Sequence, residues 1–180
     1  ALGIFHPEHK HVLNVGLFTH GKNQKEIFEL AKNATDKNIR FHFVGNQAVN
    51  FKEAWEPLMK NCPSNCFVWG ERNDAELFYQ AADVFYFSSL LELNPLVVKE
   101  ALSYQLPVLM RKLPTYLNSY DSNPLIEYIG EDEEANLKKL FKILKKKDIY
   151  QDIPTNPANV LEKKDAFLVD FNNGAELTIL

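Results

Sequence analysis

The stretch SSLLELNPLVVKEALSYQLPVL, residues 88 to 109, reads as a strand ending, a loop, a helix and a second strand. Immediately before it, Val84 to Phe87 (VFYF) is a short β-branched and aromatic run of the kind that fills a buried parallel strand, and the two serines end it. Asn94 and Pro95 then signal a helix start. Asn as N-cap accepts from orphan N–H groups, and Pro at the first helical position lacks only a donor that has no partner there anyway. The helix is predicted to run to about Tyr104. At 100° per residue Val97, Val98, Ala101 and Leu102 share one side, with Lys99, Glu100 and Ser103 on or near the other. Leu106 to Met110 supplies the next strand.

Two carboxylates punctuate this unit, Glu92 in the loop and Glu100 inside the helix, with seven residues between them. Glu100 lies roughly 9 Å along the axis from the helix start, while Glu92 lies just before the cap. Free N–H groups and the positive end of the macrodipole make the point between them a seat for phosphate. An elongated ligand with hydroxyls at both ends and a diphosphate in the middle suits that spacing, because carboxylates accept from sugar hydroxyls. Such a ligand is a nucleotide sugar.

The segment resembles the E-x7-E region of retaining GT-B glycosyltransferases, family 4 in the usual classification. The common form there is S-x-x-E-G-F-G, four variable residues, then E-A, small residues and P-V. Ser89, Glu92, Glu100, Ala101, Pro107 and Val108 stand in step with it. The resemblance covers about Val12 to Gly130, the C-terminal, donor-binding half of such enzymes. It departs where Leu93, Asn94 and Pro95 replace the usual glycines after the first Glu.

Composition fits this class. With 180 residues and 46% hydrophobic content the chain is long enough for one well-buried domain. A net charge of −4 argues against a nucleic-acid partner, whose binders carry a basic excess or patch. No stretch approaches the roughly 20 apolar residues that span a bilayer, and the start lacks a signal-peptide pattern, so a cytoplasmic location is expected. The resemblance adds peripheral contact with the inner membrane face. Cys62 and Cys66 have no histidines at zinc-ligand spacing and read as two plain thiols.

In chain order, residues 1–10 read as a linker, where the family places the hinge between its two lobes, and 11–165 as the domain. His11 to Leu17 is a strand and Asn23 to about Asn33 an amphipathic helix. The loop between them, Gly16 to Lys22 (GLFTHGK), is followed by Asn23, one residue short of a Walker A loop that needs Ser or Thr to bind Mg²⁺. A P-loop-like nucleotide hydrolase is therefore an alternative. The resemblance instead directs Gly16 and Lys22 at the donor diphosphate, with Leu17 standing where the family carries arginine. Arg40 to Val44 is the second strand, closed by Gly45, which the family uses to open the cleft floor. A helix follows over Asn50 to about Asn61, irregular at Pro57. Cys66 to Trp69 is the third strand and Asn73 to about Ala82 the next helix. The family sets the nucleobase against the backbone here occupied by Gly70 to Arg72.

Arg111 to Asn123 is expected as a Pro- and Asn-containing loop, Ile126 to Ile129 as a last strand, and Ala135 to Lys147 as a helix with acids at its start and lysines at its end. Those lysines read as a solvated face or as a contact for anionic membrane. Ala166 to Phe171 and Ala175 to Leu180, around Asn172, Asn173 and Gly174, give a β-hairpin signal.

Alternating strands and helices imply an α/β, Rossmann-like parallel sheet with helices on both faces, one lobe of GT-B. Lys22, Gly45, Gly70 and Glu92 all follow strand ends and so converge on one edge, where such folds bind ligands. By resemblance, the function is the donor-binding half of a retaining glycosyltransferase that uses a UDP- or GDP-sugar without metal, with the acceptor on an N-terminal lobe. Glu92 and Lys22 are the expected catalytic residues. Glu100, Asn94, the N–H groups of Leu96 and Val97, Gly16, Gly45, Gly70 and Arg72 are expected to hold the donor. A non-catalytic sugar-nucleotide binding module is the remaining alternative.

Overall fold

The computed structural model of the chain describes residues 6–116 and 119–150. Six strands, β1 (Lys10–Val15), β2 (Ile39–Val44), β3 (Cys66–Gly70), β4 (Val84–Phe87), β5 (Val108–Arg111) and β6 (Ile126–Ile129), form one sheet in the order β3-β2-β1-β4-β5-β6. Every adjoining pair is parallel, with Val12 beside both Phe41 and Val84. Helices α1 (Gln24–Asn33), α2 (Lys52–Lys60), α3 (Ala75–Ala81), α4 (Leu96–Ser103) and α5 (Glu133–Tyr150) fill the crossovers and follow the last strand. The chain is thus an α/β, Rossmann-like parallel sheet, as the alternating pattern predicts. Between β1 and β4 the strand order reverses, and the carboxyl ends on either side of that point frame the crevice in which open sheets of this kind bind ligands.

Alternate residues of the strands feed two cores. On one face Val12, Phe41, Phe43, Val84, Tyr86 and Leu109 pack against Ile27, Phe28 and Leu30 of α1 and Leu140, Ile143 and Leu144 of α5. On the other, Leu13, Phe85, Phe87, Val108 and Met110 pack against Phe78, Tyr79 and Ala81 of α3 and Val98 and Ala101 of α4. Strand residues buried on both faces explain why β4 and β5 read as continuous apolar runs rather than alternating ones.

A polar chain crosses the second core. The Trp69 indole N–H, which can only donate, points at His42 Nδ1 (3.2 Å). His42 Nε2 therefore carries the proton toward His11 Nδ1 (3.0 Å), and His11 Nε2 in turn faces the His6 carbonyl (3.1 Å). Burial, with His11 and Arg40 adding, holds the His42 pKa well below its usual value, so His42 stays neutral.

Element existence follows the sequence reading, and several boundaries move. β1 ends at Val15, two residues before the expected Leu17, because the chain bends at Gly16, whose N–H still donates to the end of β2. The helix around Pro57 begins as a 3₁₀ turn at Val49–Phe51 and becomes α-helical only from Lys52. Arg111, expected in a loop, closes β5 with its side chain buried. Helix α5 begins at Glu133, two residues early, where the Asp132 carboxylate accepts from the Ala135 N–H (3.1 Å). Cys62 and Cys66 are free thiols. The expected hairpin at 166–180, and the domain limit at 165, lie outside the described residues.

Candidate donor-binding site

Three glycines line the carboxyl edge of the first half-sheet. The ladder continues through them: Gly16 N–H donates to the Val44 carbonyl (2.8 Å) and Gly45 N–H to the Gly70 carbonyl (2.7 Å). A Cβ on Gly45 would fall 2.0 Å from the Gly16 carbonyl oxygen, a backbone atom that cannot give way. Gly70 has φ +71°, the left-handed conformation glycine adopts at little cost, beside the register shift between β2 and β3. Gly16, Gly45 and Gly70 thus stand together at the strand ends, where the lack of a Cβ lets the Gly45 and Gly16 backbones approach closely.

Across the switch point the loop after β1 meets the loop after β4. Ser88 Oγ donates to the Lys22 carbonyl (2.9 Å), Ser89 Oγ to the Gly21 carbonyl (3.1 Å), and Leu90 N–H also to Gly21 (2.8 Å). These bonds bring the Lys22 ammonium onto Glu92 Oε1, where it forms an ion pair. The Ser89 hydroxyl, 3.0 Å from the same oxygen, shares its single proton between that carboxylate and the Gly21 carbonyl. Lys22 Nζ also stands 5.8 Å from the centre of the Phe87 ring. Thr115 Oγ1 donates to the Glu92 carbonyl and ties the loop to the segment after β5. The two residues expected to be catalytic are thus in contact.

Helix α4 starts one residue later than expected. Asn94 is not its N-cap: Pro95 holds that place, in an extended conformation (φ −72°, ψ 97°), and no side chain caps the helix. The Pro95 carbonyl accepts from the Val98 and Lys99 N–H groups (3.2 and 3.4 Å), which makes it the first acceptor of the ladder. Asn94, preceding a proline, is disfavoured from helical geometry. Leu96 and Val97 are the first two helical residues, so their N–H groups lack intrahelical acceptors, as a seat for an anion requires. Glu100, one turn on, is solvent-exposed. Its Oε2 accepts from the Tyr79 hydroxyl (2.9 Å), and Tyr79 stacks on Tyr104 with ring centres 5.6 Å apart. Burial pushes the Tyr79 phenol up, and Glu100 adds to the shift, so Tyr79 stays a donor.

Arg72 is already engaged. Its Nε and Nη2 donate to the two oxygens of Asp74 (2.8 and 2.6 Å), a bidentate pair. That bond holds the Asp74 carboxyl below its usual range and turns it away from α3, whose N-cap position it occupies without a side-chain cap bond. Arg72 follows Gly70 by two residues, and its guanidinium carbon also stands 5.8 Å from the centre of the Phe78 ring.

Sequence reasoning missed four features. Arg111 lies behind the site, bound through Nη2 to Glu26 and through Nε to the Ser88 carbonyl (3.3 Å). Its signal was a lone arginine at the end of the apolar run Val108–Met110. Tyr79 and Thr115 reach Glu100 and Glu92 from elements distant in sequence, and no local pattern announces that. Lastly, Leu90, Leu91, Leu93 and Leu96 are 49 to 78% exposed around the half-buried Glu92, an apolar rim of the loop. Counting four leucines among residues 90–96 would have flagged it.

With this geometry in hand, comparison with known proteins identifies the class. Residues 4–156 match the family described as Glycosyl transferases group 1, and the chain belongs to that family. The processive diacylglycerol alpha-glucosyltransferase of Acholeplasma laidlawii is 27% identical over 160 residues, 79% of this chain and 48% of that enzyme. The chain thus spans about half the length of the curated relative it matches. Among solved structures, WaaG, a glycosyltransferase involved in lipopolysaccharide biosynthesis, superposes with a TM-score of 0.61 at 22% identity, covering 89% of this chain and 43% of its own. Anabaena Alr3699/HepE, solved with UDP-glucose, gives 0.68 at 16% identity over 95% of this chain and 50% of its own. At these identities the two structures support the fold. Family membership displaces the P-loop alternative.

Proposed function

We propose that this chain is the donor-binding half of a retaining, metal-independent glycosyltransferase that takes a UDP- or GDP-sugar. The observation that carries the reading is the meeting of Lys22 and Glu92 at the sheet's switch point, beside the free N–H groups at the start of α4. The diphosphate seats on the N–H groups of Leu96 and Val97 and on Lys22, which together stabilise the charge that develops as the glycosidic bond to the diphosphate breaks. Glu92 accepts from the hydroxyls of the transferring sugar. Glu100 keeps Oε1 for the ribose hydroxyls while Tyr79 holds Oε2. The nucleobase lies along the backbone at Gly70, with the Gly16–Gly45 edge beneath the donor. An N-terminal lobe of the same protein supplies the acceptor site, so this chain alone binds without turning over.

Among the described residues no helix is long and apolar enough to cross a membrane. The expected cytoplasmic place of work, at the inner membrane face, draws support from Lys138, Lys142, Lys145 and Lys146, which gather around Phe141 on α5. A sugar-nucleotide binding module without catalysis is the second reading, favoured by Leu17 in the arginine's place and by Leu93, Asn94 and Pro95 in the glycines'. Glu100→Gln tests the site: loss of a charge-assisted bond to ribose lowers UDP or GDP affinity by about tenfold in calorimetry. Unchanged affinity removes Glu100 from the site.

A further inference from the structure

We propose that Glu92 selects the donor over its product, because its ion pair with Lys22 competes with the diphosphate for the lysine and only a nucleotide that carries a sugar compensates for breaking it. The inference rests on reading this crevice as the donor site. Four observations carry it. The Lys22 ammonium, which a diphosphate needs, is already bound to Glu92. The Lys22 and Glu92 side chains are 32% and 14% exposed, so an incoming anion reaches a pair that is partly shielded from water. Both hydrogen bonds to the Glu92 carboxylate end on Oε1, and among the described residues Oε2 accepts none. The backbone around the pair is fixed without it, by Thr115 to the Glu92 carbonyl, Ser88 to the Lys22 carbonyl and Leu90 to Gly21. The side chains can therefore part while the loops stay in place.

The electrostatics follow directly. A nucleoside diphosphate gains Lys22 only by taking it from Glu92, and it then leaves two like charges facing one another across a half-buried gap. A sugar linked to the second phosphate changes the balance. Its hydroxyls donate to Oε1 and Oε2, replacing the ammonium, and its ring keeps the carboxylate and the phosphates apart. The intact donor thus meets a satisfied site, whereas the diphosphate product meets a carboxylate that wants its lysine back. After transfer, re-formation of the Lys22–Glu92 pair helps to expel the product.

The test is calorimetric titration of the protein and of Glu92→Gln with UDP, UDP-glucose, GDP and GDP-mannose. For whichever base binds, Glu92→Gln should bind the free diphosphate about fivefold more tightly than the unchanged protein and the sugar nucleotide more weakly. In a Lys22→Met background the gain should vanish, because no lysine remains to be freed. Glu92→Ser, which needs no partner for its small hydroxyl, repeats the measurement if the glutamine disturbs the loop. Equal or weaker binding of the diphosphate by both Glu92 variants overturns the inference while leaving the donor site standing. Failure of every nucleotide, with or without sugar, to bind the unchanged protein overturns both.

Discussion

Two ion pairs stand on either side of Ser88, and they differ in how completely their hydrogen bonds are filled. Behind the strand ends, Arg111 and Glu26 pair with side chains only 10% and 11% exposed. Glu26 Oε1 also accepts from the Tyr86 hydroxyl (2.8 Å) and Asn136 (3.5 Å), and Oε2 from Asn23 (2.9 Å). Arg111 donates further to the Ser88 and Gly130 carbonyls and to Glu131 (3.3, 3.1 and 2.8 Å). In front, among the described residues, Ser89 is the one further side chain that hydrogen-bonds to the Lys22–Glu92 pair. The saturated pair joins β4, β5, α1 and α5 and has no acceptor left for a ligand. The unsaturated pair is exchangeable. One kind of bond therefore serves as a rivet where burial and partners surround it and as a contact poised for a ligand where they do not.

Substitutions that treat the two alike should separate them. Arg111→Met leaves the Glu26 carboxylate buried without its cation and should cost about 3–5 kcal/mol in urea unfolding. A loss below about 1 kcal/mol would place this pair in the same class as the front one. Tyr86→Phe removes a single donor from Glu26 and should cost about 1–3 kcal/mol, the penalty of one buried acceptor left short. Smallest is Glu92→Gln, which should shift stability by less than about 1 kcal/mol, since a partly exposed pair contributes little to folding. Its large effect belongs to nucleotide binding.

Much of this arrangement is written locally in the chain. The β4 and β5 runs, the spacing of Glu92 and Glu100 and the position of Lys22 after β1 depend on near neighbours, so periodicity and strand endings reveal them. What stayed hidden is partly the choice between local partners and partly contacts across the sheet. Asn94 and Pro95 read as cap and first turn, but proline took the cap because its carbonyl, not the asparagine side chain, begins the ladder. Arg72 read as a residue for the nucleobase, yet Asp74 two residues on claims its guanidinium. Arg111 read as part of a loop because its partner, Glu26, lies 85 positions away. The ion pair of Lys22 with Glu92 could not be read at all, although both residues could, because it depends on Ser88, Ser89 and Leu90 docking one loop on the other.

The most direct measurement is calorimetric titration of the protein with UDP, GDP and ATP, in EDTA and again with Mg²⁺. A donor site built on Lys22, Glu100 and the start of α4 predicts saturable binding of UDP or GDP that Mg²⁺ leaves unchanged and Lys22→Met weakens. Binding of ATP that requires Mg²⁺, or no binding of any nucleotide, contradicts it.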